Sequence, residues 1–195
     1  PQPDPAPGQV WAPAAERWVE YLDADGTITI GGVDRGYAHP IRSDGKRQGF
    51  DGIQVQILAQ GWTCIGVATP HGRVMVGEAF AVDPQAHEWT VTGLALAPGS
   101  IMLSAPGPGS CSNDAAHVAR TWHRTRYAPA RAGERYRHRA EGRTVQIWQP
   151  DRSPMLLREE DGWALYALPT GGRLDPAQWE RLDGGALDAP SVGQT

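Results

Sequence analysis

Residues 120–143, RTWHRTRYAPARAGERYRHRAEGR, hold eight of the eighteen basic side chains against two carboxylates, Glu134 and Glu141. The stretch carries a formal charge of +6, and the rest of the chain carries −10. Arg120, Arg124, Arg126, Arg131, Arg135, Arg137, Arg139 and Arg143 are candidate phosphate contacts. Trp122, Tyr127 and Tyr136, interleaved with them, offer flat faces on which bases stack. Those residue types together are the chemistry of a nucleic-acid footprint. The same charge also suits an acidic protein surface, or a solvated linker neutralised by acidic patches on the same molecule. Seventeen arginines stand against one lysine, Lys46, in a chain rich in Ala, Gly and Pro. That is the composition of a GC-rich genome, and it weakens any argument that each guanidinium was selected for its fork geometry.

Catalytic constellations are thin by comparison. Cys111 stands in GSCSN just ahead of a predicted helix, whose N-terminal dipole lowers a thiol pKa. His117 and His123 follow on or near that helix. A cysteine and a histidine from one element, with no third orienting group, make Cys111 and His117 weak candidates beside the plainer reading of a loop cysteine. His39, in RGYAHPIR with Asp34 and Asp44 close in sequence, is an equally weak acid/base candidate in what reads as an ordinary polar loop. The six histidines lack zinc-ligand spacing. The sequence Asp23-Ala24-Asp25-Gly26 opens like a calcium loop but runs into a Thr/Ile strand with no Glu at the twelfth position. Neither a phosphate loop nor a Gly-x-Ser-x-Gly elbow is present. No metal and no cofactor is expected, and the chain leans away from being an enzyme.

The 195 residues suffice for one large domain or two small ones, and 40% apolar content with eight tryptophans can fill a core in either case. Two cysteines, Cys64 and Cys111, are too few for a disulfide framework, so free thiols and a cytoplasmic setting are expected. No run approaches the about 20 apolar residues of a membrane-spanning helix. The opening PQPDPAPG shows no signal peptide, although a removed one stays compatible with it.

The elements that must carry these residues are mostly strands. Residues 1–8 read as a flexible Pro-rich arm. RWVEYLDADGTITI (17–30) reads as a hairpin, residues 31–50 as a long polar loop, and IQVQIL (53–58) as an alternating strand. Trp62 to Ala68 and Arg73 to Phe80 flank Pro70-His71-Gly72 as a second hairpin. Asp83-Pro84 opens a short turn, and EWTVTGLAL (88–96) with Ile101 to Leu103 continues the β pattern. The Ser112-Asn113-Asp114 cap then predicts a helix over 113–124, with Ala115, Val118, Ala119 and Trp122 on one face. Arg120, His123, Arg124 and Arg126 would occupy its last turn. TVQIW, MLLR and WALYAL read as three strands with tight turns. Most tryptophans (11, 18, 89, 148, 163, 179) read as core, with one or two exposed at a rim. The match of Gly8-Gln9-Val10-Trp11 and Trp18 to Leu22 with Gly133-Glu134-Arg135-Tyr136 and Thr144 to Trp148 raises a duplication.

The expected fold is therefore mainly β (α+β at most), built from hairpins into small barrels or curled sheets. Its divisions are an N-terminal β region (9–112), one helix and basic linker (113–132), a β unit of SH3-like size (133–182) and a loose tail (183–195). The expected function is a non-enzymatic binding module contacting nucleic acid through residues 120–143. The alternatives are a structural or assembly protein that packs against copies of itself, and a small enzyme using Cys111 or the His39 loop.

Overall fold

The computed structural model describes residues 2–14, 22–41, 52–150, 155–159, 161–166 and 172–182. The chain is mainly β, and the described residues form three antiparallel sheets that curl without closing into barrels. The first takes β1 (Gln9–Pro13), β2 (Ile28–Asp34), β3 (Tyr37–Ile41), β4 (Ile53–Gln54), β5 (Trp62–Thr69) and β6 (Gly72–Met75) in the order β4-β3-β2-β1-β5-β6. The second takes β7 (Ala79–Ala81), β8 (Trp89–Leu94), β9 (Ser100–Ser104), β10 (Ser110–Asp114) and β11 (His123–Arg126) in the order β10-β9-β8-β7-β11. The third takes β12 (Arg135–His138), β13 (Thr144–Gln149), β14 (Met155–Glu159), β15 (Gly162–Tyr166) and β16 (Trp179–Arg181) in the order β15-β14-β13-β12-β16. Among the described residues, helices α1 (Val55–Gly61) and α2 (Ala115–Thr121) lie between β4 and β5 and between β10 and β11.

One plan recurs three times. Each sheet's opening strand sits between the second and the fifth strand of its own unit, and a helix or turn leads into the fifth. Gly8, Gly77 and Gly133 precede β1, β7 and β12 at φ +85°, +90° and +87°, a left-handed conformation that only glycine adopts without strain. The residue after each glycine is a buried amide or acid, Gln9, Glu78 or Glu134, and two positions on comes a fully buried ring, Trp11, Phe80 or Tyr136. The pairings agree as well: Trp11 lies opposite Ile28, Phe80 opposite Trp89 and Tyr136 opposite Val145. A bulge follows Ile30, Val91 and Ile147 in turn. The glycine-to-aromatic half of the expected internal match is thus present, and in three copies. Its other half falls elsewhere, because the strand equivalent to Thr144–Gln149 is β2, while Trp18 lies outside the described residues.

Each sheet buries its own core. Trp11, Ile28, Ile30, Leu58 and Trp62 fill the first, and Tyr127, Tyr136, Ile147, Leu157 and Trp179 the third. In the second, Phe80, Val91, Ile101, Leu103 and Val118 pack together with Val67 of β5 and Val74 of β6, so the first two sheets share a wall. At about 1.5–3 kcal/mol for each fully buried large side chain, these clusters supply the main stabilising term.

Several local expectations change. Residues 31–41 are not loop: β2 runs on to Asp34, turns through Arg35 (φ 49°) and Gly36 (φ 79°), and returns as β3. This two-residue turn with both φ positive was hidden because Arg replaces the usual Asn or Asp. The partners of β2 are β1 and β3, and residues 15–21, the other half of the expected hairpin, lie outside the described residues. IQVQIL is strand only at Ile53–Gln54 and then α1, in which Leu58 is the buried side chain. A short apolar run fits period 2 and period 3.6 alike. The helix predicted over 113–124 is shorter: Asp114 caps it by accepting from the His117 N–H at 2.8 Å, and Trp122 is already extended. His123, Arg124 and Arg126 therefore sit on β11. Residues 2–8, read as a free arm, are tied down, since the Gln2 side chain donates to the Trp62 carbonyl and accepts from the Cys64 N–H.

Candidate functional site

The basic segment crosses the molecule, and its side chains part company along the way. Glu78 is the inner focus. It follows the left-handed Gly77 and is completely buried. Its Oε2 accepts the Met75 N–H at 3.1 Å and lies 3.3 Å from Arg124 Nε, while Oε1 is ion-paired with Arg181 Nη1. The Arg124 Nε contact is coulombic rather than a directed hydrogen bond. Arg124 Nη2 and Arg181 Nη2 both donate to the Arg73 carbonyl, at 2.6 and 3.0 Å. The Arg124 guanidinium lies 5.1 Å from the ring centres of Phe80 and Tyr127, and that of Arg181 lies 5.3 Å from Tyr127. Cations held over ring faces out of water gain from the ring quadrupole. Position explains the pair: Arg124 and Arg181 occupy the same place in the second and third sheets, opposite Phe80 and Tyr136. Cys64, opposite Trp11, fills that place in the first.

Arg73 extends the cluster toward the first sheet. Its guanidinium meets Asp25 at 2.6 Å, Asp23 at 3.5 Å and the hydroxyls of Thr29 and Thr27 at 3.2 and 3.4 Å. Burial works to raise the Asp25 pKa, but attraction to Arg73 and hydrogen bonds from Thr27 and Arg73 outweigh it and leave the carboxyl below its ordinary value. Glu134, whose Oε2 accepts from Arg131 N and Tyr136 Oη at 2.9 Å each, is shifted the other way. Burial raises it, against the pull of Arg181. Burial and the Glu134 charge together hold the Tyr136 phenol well above its ordinary range. Glu78, Arg124, Arg181, Arg73 and Asp25 thus bond mainly to one another, and this buried cluster is a clamp among three sheets.

The outer end differs. On β12 the side chains alternate, so Tyr136 points into the core while Arg135 and Arg137 face solvent, and Arg139 beyond the strand end is exposed as well. Arg137 is paired with Glu180 at 2.9 Å, and Arg143 with Glu141 and Glu159 at 3.0 and 2.8 Å. Arg139 Nε donates to the Pro176 carbonyl at 2.9 Å. Arg135, and Arg158 of β14, are exposed and make no ion pair among the described residues. Two tryptophans join this region, Trp148 at 49% and Trp163 at 57% exposure, with ring centres 5.1 Å apart and planes at 74°.

No protein-family model matches the chain, and neither does any curated protein sequence. The geometry alone ranks the candidate residues.

Of the expected stacking residues, Tyr127 is 1% exposed, Tyr136 0%, and Trp122 is half-buried against the second core, so the first two present no face to a base. Tyr127 is tied further into the interior, its hydroxyl donating to the Trp179 carbonyl and accepting from Arg181 N. Arg120 is exposed on α2. Arg126 reaches Thr90 Oγ1 at 3.2 Å, and Arg131 lies 3.5 Å from the Asp25 carbonyl. Trp148 and Trp163 were missed as site residues, although the alternation of TVQIW with Val145 and Ile147 inward turns Trp148 outward. Cys111 is on β10 opposite Leu103, away from any helix N-terminus, and His117 is exposed on α2 with its ring toward Thr121. No hydrogen bond joins Cys111 and His117 among the described residues. His39 is on β3 opposite Gly32, in strand rather than loop. Cys64 is buried, which pushes its thiol up to about 12, and both cysteines are free. Among the described residues, no three metal-ligating side chains converge, and no helix is long and apolar enough to cross a membrane.

Proposed function

We propose that this protein is a non-enzymatic binding module that holds nucleic acid against the outer face of its third sheet. The observation carrying this reading is the contrast in guanidinium partners. Among the described residues Arg135, Arg139 and Arg158 face solvent without a carboxylate partner, whereas Arg73, Arg124 and Arg181 are consumed internally. Glu180, Glu159 and Glu141 take up Arg137 and Arg143, so the ligand-facing charge is smaller than the segment's formal +6. Binding is accordingly weak and salt-sensitive, with micromolar affinity at physiological ionic strength.

The test is fluorescence anisotropy with labelled single-stranded and duplex oligonucleotides over a salt series. Each neutralised phosphate contributes a slope in log K against log salt of about −0.9 for duplex and about −0.7 for single strands. Joint replacement of Arg135, Arg139 and Arg158 by Ser is expected to flatten the slope toward zero with only a small change in melting temperature. Binding that ignores the triple replacement removes this face from the function, and concentration-dependent self-association in its place favours an assembly protein.

A further inference from the structure

Resting on the nucleic-acid reading, we infer that Trp148 and Trp163 form a stacking platform that makes the third sheet select unpaired nucleotides over duplex. The three-fold plan of the chain provides an internal control. Ile147, Leu157 and Ala164 stand in register across β13, β14 and β15 as Val91, Leu103 and Cys111 do across β8, β9 and β10. On that register Trp148, Arg158 and Trp163 of the third sheet correspond to Thr92, Ser104 and Ser110 of the second. The same fold is built there with small hydroxyl residues, so packing does not require the two indoles or the guanidinium.

Geometry supplies the rest. Trp148 is the bulged residue between the Ile147–Leu157 and Gln149–Leu156 pairs, and a bulge frees a side chain from its cross-strand neighbour and re-aims it. Trp163 lies directly opposite Arg158, and Arg158 opposite Gln146, which is itself opposite Arg135. One row across this face therefore runs Trp163, Arg158, Gln146, Arg135, with Trp148 beside Trp163, so that an indole pair for bases adjoins guanidiniums for the phosphates. One indole presents its edge to the face of the other, and both remain about half exposed, so ring surface is open on each. In duplex the base faces are already stacked, so only the guanidiniums would engage it. Asp161, exposed in the turn before Trp163, and Glu159 bound the cationic strip at that end.

The experiment compares wild type, Trp148→Ala/Trp163→Ala and Trp148→Phe/Trp163→Phe by anisotropy against oligo(dT) and a duplex of equal length, with intrinsic tryptophan fluorescence read alongside. Wild type is expected to prefer the single strand and to show quenching on binding. The alanine pair should lose single-strand affinity by about five- to a hundredfold, keep duplex affinity within about twofold, and melt like wild type. The phenylalanine pair, which retains stacking surface, should recover most of the loss. Equal loss for both ligands, or wild-type affinity that is the same for both, overturns the platform while leaving the arginine face in place. Binding of neither ligand by wild type overturns the platform and the nucleic-acid reading together. Self-association abolished by the alanine pair, with nucleic-acid affinity unchanged, also overturns it.

Discussion

Arg124 and Arg135 belong to one basic stretch and meet opposite fates. Arg124 lies opposite Phe80, in a position whose side chain points toward Glu78 and the Tyr127 ring. Arg135 is next to the inward Tyr136 on a strand of period 2 and therefore points to water. A run of charge in sequence does not say which side of a sheet it occupies. What decides is register together with a carboxylate placed to receive the charge, and Glu78 is that carboxylate. The inner arginines join segments 44 to 108 residues apart and bridge all three sheets, while the outer ones bond within the third sheet's own unit or face solvent.

Breaking the inner half should have the largest effect. Glu78→Ala removes the buried carboxylate that Arg181 and Arg124 share, and removal of one partner from such a pair costs about 3–5 kcal/mol. That is a large part of a total stability on the order of 5–15 kcal/mol. Urea denaturation measures it, and a loss under about 1 kcal/mol would show that the clamp is not what unites the sheets. Arg73→Met comes next, at about 2–3 kcal/mol, because Asp25 keeps its bonds from Thr27 and a little solvent.

Acidity sharpens the comparison by separating two buried carboxyls. The folded pKa of Asp25 is lowered, so the stability it contributes is fully present above the ordinary aspartate value of about 3.9 and is lost as pH falls through the lower folded value. Glu134 is raised, so its contribution is present below the ordinary glutamate value of about 4.3 and is lost as pH rises through the folded value. Denaturation at a series of pH values should show Asp25→Asn flattening the acid limb and Glu134→Gln removing the decline on the other side. The amide introduced by Glu134→Gln would repeat what Gln9 already does in the first sheet, where Oε1 accepts from Ala6 N and Trp11 Nε1.

Much of this fold is legible in the residues. Clean alternation marks β13 and β8, and Pro70-His71 and Asp161-Gly162 mark turns. The short polar run ending at Asp114 marks the start of α2, whose Ala115 and Val118 are buried. What was not legible depends on distance in sequence. Asp23 and Asp25 look like turn residues until Arg73, about fifty positions away, arrives beside them. Glu134 reads as a surface counter-charge until Gly133 is seen to pack so tightly that a Cβ there would overlap the Ala24 carbonyl. The second copy of the Gly-acid-x-aromatic pattern, Gly77 to Phe80, was hidden inside what read as a single hairpin. Tyr127 and Tyr136 alternate with arginines in sequence, but strand geometry separates them from the outward arginines.

The smallest expected effect on stability, and the largest on binding, comes from the outer half. Replacing Arg135, Arg139 and Arg158 together should change unfolding free energy by no more than about 0.5 kcal/mol per site. The most direct measurement of the division between the two halves is therefore the salt dependence of single-strand affinity for wild type and this triple variant. The three arginines of the third sheet's outer face that lack a carboxylate partner among the described residues predict a wild-type slope near −2, at about −0.7 per contact, falling close to zero in the variant. A slope well beyond about −2 that survives in the variant would mean that arginines outside this set carry the binding, and it would contradict the account.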